Sequence, residues 1–303
     1  MTDQPGPRPA AAPGETPAEG DSPAARIRER LGECTPGERK VARALLAAYP
    51  AAGFESVAGL AEIAGVSGAT VVRFTTKLGY AGFPDFQRAL REELEQRSAS
   101  PAALYARTNA DQRPPHPDDL AALAEPAVGN LRATFGGLSE HDFSTTVQAL
   151  ADPKRRIWLV GGRYSMFLAE YFAASLQQLR GAVHMVPQMA SVRAAAVVGF
   201  DAKDVLVAFD FRRYESETRH LVQHAKAHRA TVVLVTDKWV SPCASDADTV
   251  LTSVASERGP FDSVVPVMAL IESLFEATLT RIGAPARERM EGIERTAQEL
   301  DLL

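Results

Sequence analysis

Cysteine is close to absent. Cys34 and Cys243 are the only two, they lie far apart, and neither belongs to a C-x-x-C pair. Neither a disulfide framework nor a zinc site is expected from that spacing, and a reducing compartment is the plain setting. No apolar run reaches the ~20 residues that a membrane span needs. The N-terminus has no basic start followed by an apolar stretch, so no secretory leader is expected; the location reads as cytoplasmic, with no membrane partner. A dominant charge is also missing. The formal net charge of −5 argues against a protein coated in nucleic acid. Residues 26–100 nevertheless carry eleven Lys/Arg against nine Asp/Glu, a slightly basic segment on an acidic whole.

What is present organises around residues 57–86, VAGLAEIAGVSGATVVRFTTKLGYAGFPDF. Val57, Leu60, Ala61, Ile63 and Ala64 fall at the three- and four-residue spacing of a short helix. Gly65 suits the left-handed backbone that ends helices. Ser67 then reads as the N-cap of a second helix running from Gly68 to about Leu78. Ser67, Thr70, Arg73 and Lys77 share one face of it, short, hydroxyl-bearing and cationic, which suits entry into a DNA major groove. An ordinary helical hairpin would show similar periodicity. The distinguishing feature is a short helix, a glycine turn and a capped second helix in that order. The candidate DNA-contacting residues are Ser67, Thr70, Val71, Arg73, Lys77 and Tyr80.

A chain of 303 residues is long enough for two domains. Residues 1–24, rich in Pro, Ala and Gly, read as a disordered tail. Residues 25–97 read as the helix-turn-helix domain. It includes a helix start in which Thr35 caps, Pro36 takes the first helical position and Glu38 completes a capping box. Phe86, Leu90 and Leu94 form a narrow stripe on a further helix. Residues 98–119 lose periodicity and gain Pro101, Pro114, Pro115 and Pro117, and read as a linker. Residues 120–285 begin with a helical approach and continue as alternating strands and helices. The strands are expected at residues 157–160, 182–186, 205–209, 231–236 and 249–254, and the pattern implies a parallel sheet covered on both faces. Ligands in such sheets sit beyond the strands' carboxyl ends, which points to loops 161–165, 210–218 and 236–242. Residues 286–303 read as a charged C-terminal helix.

The residues Thr35-Pro36-Gly37-Glu38-Arg39, Ser67-Gly68-Ala69-Thr70-Val71-Val72-Arg73-Phe74 and Leu78-Gly79-Tyr80-Ala81-Gly82-Phe83 resemble the N-terminal domain of RpiR-type (MurR/RpiR) bacterial regulators. The α/β half resembles a sugar isomerase (SIS) domain, and the resemblance spans about residues 26–285. It implies an all-α helix-turn-helix domain followed by an α/β SIS-type domain with a mainly parallel five-stranded sheet flanked by helices. It also implies a transcriptional regulator that binds a double-stranded DNA operator and senses a phosphosugar or related metabolite. A homodimer or homotetramer is expected, with two reading helices meeting successive major grooves.

One loop departs from that pattern. SIS domains that hold phosphosugars usually carry Ser-x-Ser-Gly-x-Thr after the strand at 205–209, whereas this chain reads Asp210-Phe211-Arg212-Arg213-Tyr214-Glu215-Ser216-Glu217-Thr218. The small hydroxyls and glycine that wrap a phosphate are replaced by two arginines, which can bind phosphate or carboxylate in bidentate fashion. Exposed pairing of Arg212 or Arg213 with Asp210, Glu215 or Glu217 is the alternative. The candidate effector residues are Gly161, Gly162, Arg163, Tyr164, Ser165, Asp210, Arg212, Arg213 and Thr218, and the effector is expected to be a small anionic metabolite, sugar phosphate or carboxylate. His220, His224 and His228 recur four apart but lack a third ligand type, so no metal is expected. The glycines after residue 160 do not follow G-x-G-x-x-G, so no cofactor is expected. No residue is assigned a catalytic role. The alternative from another class is an SIS-type sugar-phosphate isomerase with a helical appendage, drawing on Glu217, Glu257 and the histidines for acid/base chemistry. A third reading is a DNA-binding assembly protein with a ligand-blind C-terminal domain.

Overall fold

The computed structural model describes residues 22–111, 119–255 and 261–302. It divides into two compact units between Gln96 and Arg97. Most of the expected disordered tail, residues 1–21, lies outside the described residues, as do Pro114, Pro115, Pro117 and Glu257.

The first unit is all helical: α1 (Pro23–Glu29), α2 (Pro36–Ala47), α3 (Val57–Ala64), α4 (Gly68–Lys77) and α5 (Phe83–Ser98), whose last residues pass into the second unit. Local chemistry sets its boundaries. Thr35 and Glu38 form the reciprocal capping box at the start of α2, with Pro36 in the first turn. Ser56 caps α3 by accepting from the Gly59 N–H at 3.0 Å. Gly65 sits at φ 60° and ψ 48°, and its N–H closes α3 onto the carbonyls of Ala61 and Glu62. α4 then leaves at 98° to α3. Leu45, Leu60, Val71, Phe74, Phe86 and Leu90 are fully buried and hold the helices together. Each such side chain contributes roughly 1.5–3 kcal/mol through removal from water.

The second unit is α/β. Its helices are α6 (Pro101–Asp111), α7 (Leu120–Gly137), α8 (Glu140–Ala151), α9 (Ser165–Leu179), α10 (Ala190–Val197), α11 (Ser216–Ala227), α12 (Val265–Ile282) and α13 (Ala284–Glu299). Five strands, β1 (Arg156–Gly161), β2 (Val183–Met185), β3 (Asp204–Asp210), β4 (Thr231–Asp237) and β5 (Thr249–Ser253), pair in the order β2-β1-β3-β4-β5, all parallel. Their side chains alternate between two cores, as the pleat requires. Ile157, Leu159, Val205, Val207, Val233 and Val235 pack with α8, α9 and α12. Leu206, Ala208, Val232 and Leu234 pack on the other face with α10 and α11.

β1 connects outward to β2, while its other neighbour is β3, which leads to β4. The chain direction across the sheet therefore reverses between β1 and β3, and the loops after them diverge above adjacent strand ends. Two details differ from the sequence reading. The stretch expected as a linker contains α6, because Ser100 caps it by accepting the Ala103 N–H at 3.1 Å and Pro101 fits a first helical turn. Short α10 also lies between β2 and β3, where no helix was anticipated.

Candidate functional site

The candidate reading helix is α4. Ser67, the N-cap position just before it, is exposed, as are Ala69, Val72, Arg73 and Thr76, whereas Thr70, Val71, Phe74 and Thr75 are buried. The outward strip is thus rotated from the face expected, and several assignments need correction. Val71 is fully buried against the helical core and is not a surface contact. Tyr80 is buried too: its ring meets Phe86 edge-on at 5.3 Å, Arg26 lies 5.2 Å from its centroid, and burial pushes its phenol up to about 12. Thr70 turns inward beside Gly37 of α2. Its hydroxyl pairs with that of Ser67 at 3.0 Å, so Ser67 spends its side chain there and makes no cap to the backbone.

Arg73 stays outside, with Nη2 donating to Thr70 Oγ1 at 3.4 Å. Lys77 is half-covered and already engaged. Its Nζ donates to the Glu33 carbonyl at 2.5 Å and pairs with Glu38 at 3.1 Å. That tie fixes α4 to α2, so Lys77 has a structural role whatever else it does.

The second candidate site is a cavity of about 330 Å³ above the carboxyl ends of β1, β3 and β4. That volume lies at the lower end for small-molecule sites. Of the effector candidates named from the sequence, Gly162, Arg163, Tyr164, Ser165, Asp210, Arg212 and Arg213 line it. Gly161 and Thr218 do not. Gly161 ends β1 where a side chain would collide with the first turn of α9, and Thr218 is buried in α11. Lys238, Trp239, Asp237, Glu215 and the segment 261–264 also line the cavity, and Ala99, Pro101 and Leu104 add an apolar wall.

Ser165 organises the first loop by accepting the Gly162 N–H at 2.8 Å and donating to the Phe209 carbonyl at 2.9 Å. Among the described residues Arg212 forms its ion pair with Asp262, and not with Asp210, Glu215 or Glu217, the partners of the alternative reading. Its Nε and Nη2 grip Asp262 in a fork, Nη2 to Oδ1 at 2.6 Å, and its guanidinium lies 5.2 Å from the Trp239 ring centre. Arg213, by contrast, is exposed and makes no ion pair among the described residues.

Four cationic side chains (Arg163, Arg212, Arg213, Lys238) and four carboxylates (Asp210, Glu215, Asp237, Asp262) line the cavity, so it is balanced rather than strongly cationic. Asp210 accepts from the Ser241 hydroxyl and the Cys243 thiol, and burial raises its carboxyl above the usual range. Asp237 accepts from the Arg212 N–H at 2.6 Å, the Trp239 N–H at 3.0 Å and the Tyr214 hydroxyl at 2.7 Å. Burial outweighs those three donors and pushes Asp237 up to about 6. Tyr214 also carries the Arg97 guanidinium 5.0 Å from its ring centre, and burial raises its phenol. Burial likewise pushes the Cys243 thiol up to about 12, which leaves it protonated and inert.

A pH dependence follows. Because the folded carboxyl of Asp237 binds its proton more tightly than the unfolded one, its contribution to stability is full at low pH and is lost as pH rises through about 6. Between pH 5 and 7 this group alone should remove roughly 1 kcal/mol from the second unit. Urea midpoints of wild type and Asp237→Asn across that range check it. Equal slopes for the two proteins would show that Asp237 does not titrate there.

The histidine series has a plain role. His224 Nε2 lies 3.1 Å from the Val197 carbonyl, and the His224 and His228 ring centres lie 4.2 Å apart with the rings tilted by 39°. Among the described residues no group of His, Cys, Asp and Glu is placed to hold a metal.

Comparison with known proteins places both units. Residues 23–97 match the helix-turn-helix domain of the rpiR family, and residues 149–277 match the SIS domain. The uncharacterized HTH-type transcriptional regulator YfhH of Escherichia coli K12 is 26% identical over 284 residues, covering 91% of this chain and 98% of YfhH. The HTH-type transcriptional regulator HexR of the same organism is 24% identical over 278 residues, 90% of this chain and 93% of HexR. The NanR protein of Vibrio vulnificus, solved in complex with ManNAc-6P, shares the fold with a TM-score of 0.52 at 20% identity, over 91% of this chain and 98% of that one. With its glycine-turned helix pair and its parallel five-stranded sheet, the chain belongs to the rpiR family of helix-turn-helix transcriptional regulators that carry a SIS domain.

Proposed function

We propose that the protein binds a double-stranded DNA operator through α4 and senses a small anionic metabolite, a sugar phosphate or carboxylate, in the cavity of its SIS unit. The observation that carries the DNA half is the exposed strip of Ser67, Ala69, Val72, Arg73 and Thr76 on a helix whose opposite side is sealed in a core. Small side chains near the N-terminus of such a helix allow close approach to base edges, and Arg73 supplies a guanidinium. For the effector half, support comes from the cavity at the β1/β3 reversal, from exposed Arg213 and from Lys238. NanR, a fold neighbour, was solved with a phosphorylated sugar, which fits an anionic sugar derivative here.

The protein acts as a regulator without turnover, in the cytoplasm, as a homodimer or homotetramer. Tyr164 just before α9, and Phe167 and Tyr171 within it, have 78%, 61% and 42% of their surface exposed, which supports self-association of the SIS unit. Effector binding then shifts the assembly between states that present the two reading helices at different spacings.

The test is fluorescence anisotropy of DNA from regions the protein occupies on its own genome, titrated with sugar phosphates and sugar acids. An effector should change DNA affinity at least fivefold. Arg213→Ala should weaken the effector's half-maximal concentration about tenfold while leaving affinity for DNA alone unchanged. A response that survives Arg213→Ala at full strength removes that residue from the site. Turnover of an aldose or ketose phosphate by the protein would replace this reading with an isomerase.

A further inference from the structure

The turn between β1 and α9 already holds an anion, and it comes from the protein itself. Glu215, the residue before α11, lays its carboxylate on that turn. Its Oε1 accepts the Arg163 N–H at 3.2 Å and lies 3.7 Å from Arg163 Nε. Only glycine at 162 leaves room for it, since a Cβ there would come within 2.6–2.8 Å of the Glu215 carboxylate carbon and both oxygens. The Glu215 N–H donates to Asp210 Oδ1 at 3.3 Å, which anchors the other end of the same residue at the tip of β3. The remaining carboxylates of the cavity are committed elsewhere: Asp210 to Ser241, Asp237 to Tyr214 and two backbone N–H groups, Asp262 to Arg212.

We infer that Glu215 determines the charge class of the effector, selecting a singly charged carboxylate, a sugar acid, over a phosphomonoester. The inference rests on the anionic-effector reading above. The Glu215 carboxylate stands where a ligand's anionic oxygens would meet the turn, so an incoming anion is directed towards Arg213 and Lys238. Repulsion between Glu215 and the ligand grows with the ligand's charge. A phosphomonoester is close to dianionic at neutral pH, so its repulsion from Glu215 and its attraction to Arg213 and Lys238 both roughly double. What it lacks is a donor for its third oxygen, because the turn's Arg163 N–H is taken by Glu215 and its Gly162 N–H by Ser165. The missing hydroxyl-and-glycine loop after β3 fits the same selectivity, because Asp210 and Glu215 stand within the stretch that would otherwise wrap a phosphate.

The experiment is calorimetric titration of full-length wild type and Glu215→Gln with pentose and hexose phosphates and with the aldonic and uronic acids of the same carbon number. Wild type should bind its best sugar acid at least tenfold tighter than any of the phosphates. Glu215→Gln keeps an oxygen for the Arg163 N–H and should narrow that ratio about tenfold by gaining phosphate affinity. The wild-type ratio decides alone if the variant does not fold. A wild type that prefers phosphates, or a ratio that Glu215→Gln leaves unmoved, overturns the assignment of Glu215 while the anionic effector stands. Binding of neither series to either protein overturns both.

Discussion

Gly161→Ala should cost the second unit about 3 kcal/mol and abolish any effector response, although Gly161 does not face the cavity. A Cβ at this position would lie 2.4 Å from the Ser165 carbonyl carbon and oxygen and 2.6 Å from the Met166 nitrogen. Those are backbone atoms of the first turn of α9, so no side-chain rotation relieves the clash. Either β1 leaves its register with β3, or α9 lifts from the sheet and takes Leu168, Phe172 and Leu176 out of the core. The second course also breaks the Ser165 hydroxyl bonds that shape the 161–165 loop. Both tryptophans, Trp158 and Trp239, lie in this unit, so urea denaturation followed by tryptophan fluorescence reads it selectively. Gly199→Ala is the matched control, since nothing lies within 4 Å of the Cβ it would add. A Gly161→Ala midpoint equal to that of the control would mean that β1 and α9 yield more easily than their packing indicates.

Arg73→Ala should lower operator affinity about tenfold to a hundredfold, in the range for losing one base or phosphate contact by arginine, with little change in the stability of the first unit. Arg73 is exposed and, among the described residues, its side chain hydrogen-bonds to Thr70, so its removal leaves the core intact. If the lost contact is to phosphate, the slope of log affinity against log salt falls by about one. Lys77→Ala should behave differently. That side chain bridges the Glu33 carbonyl and the Glu38 carboxylate, so its loss first lowers the melting temperature of the first unit. Tyr80→Phe, at a buried ring, should leave DNA affinity as it was. Anisotropy on an operator fragment, paired with thermal melts, separates the three variants. Unchanged affinity in Arg73→Ala would place the reading surface elsewhere on the protein.

The helix pair was legible because its punctuation is local. Gly65 has no rival explanation at that spacing, and Thr35, Pro36 and Glu38 announce α2 within four residues. The rotation of α4 was not legible. Thr70 and Ser67 satisfy each other's hydroxyls, and an inward-turned threonine has the same place in a periodic pattern as an outward one. Tyr80 illustrates the same limit, since an aromatic after a reading helix serves a core or a groove equally well until Phe86 is seen against it. In the second unit the strands declared themselves as short runs of Ile, Val and Leu, so the loops above them could be named. Asp262, which fixes Arg212, comes from a segment fifty residues away and announces no motif. Asp237 and Trp239 were legible only through their loop, 236–242, which follows β4 and was expected above the strand ends without any of its residues being singled out.

The apolar wall formed by Ala99, Pro101 and Leu104 bears on how the protein can be dissected. The matched SIS segment starts at residue 149, and a fragment trimmed to that point would be a cup with one side cut away. Retaining the whole vessel, and the Arg97 side chain that rests on Tyr214, requires starting no later than Arg97. The smallest faithful ligand-binding fragment therefore starts at residue 97 and not at residue 149, where the recognisable domain begins.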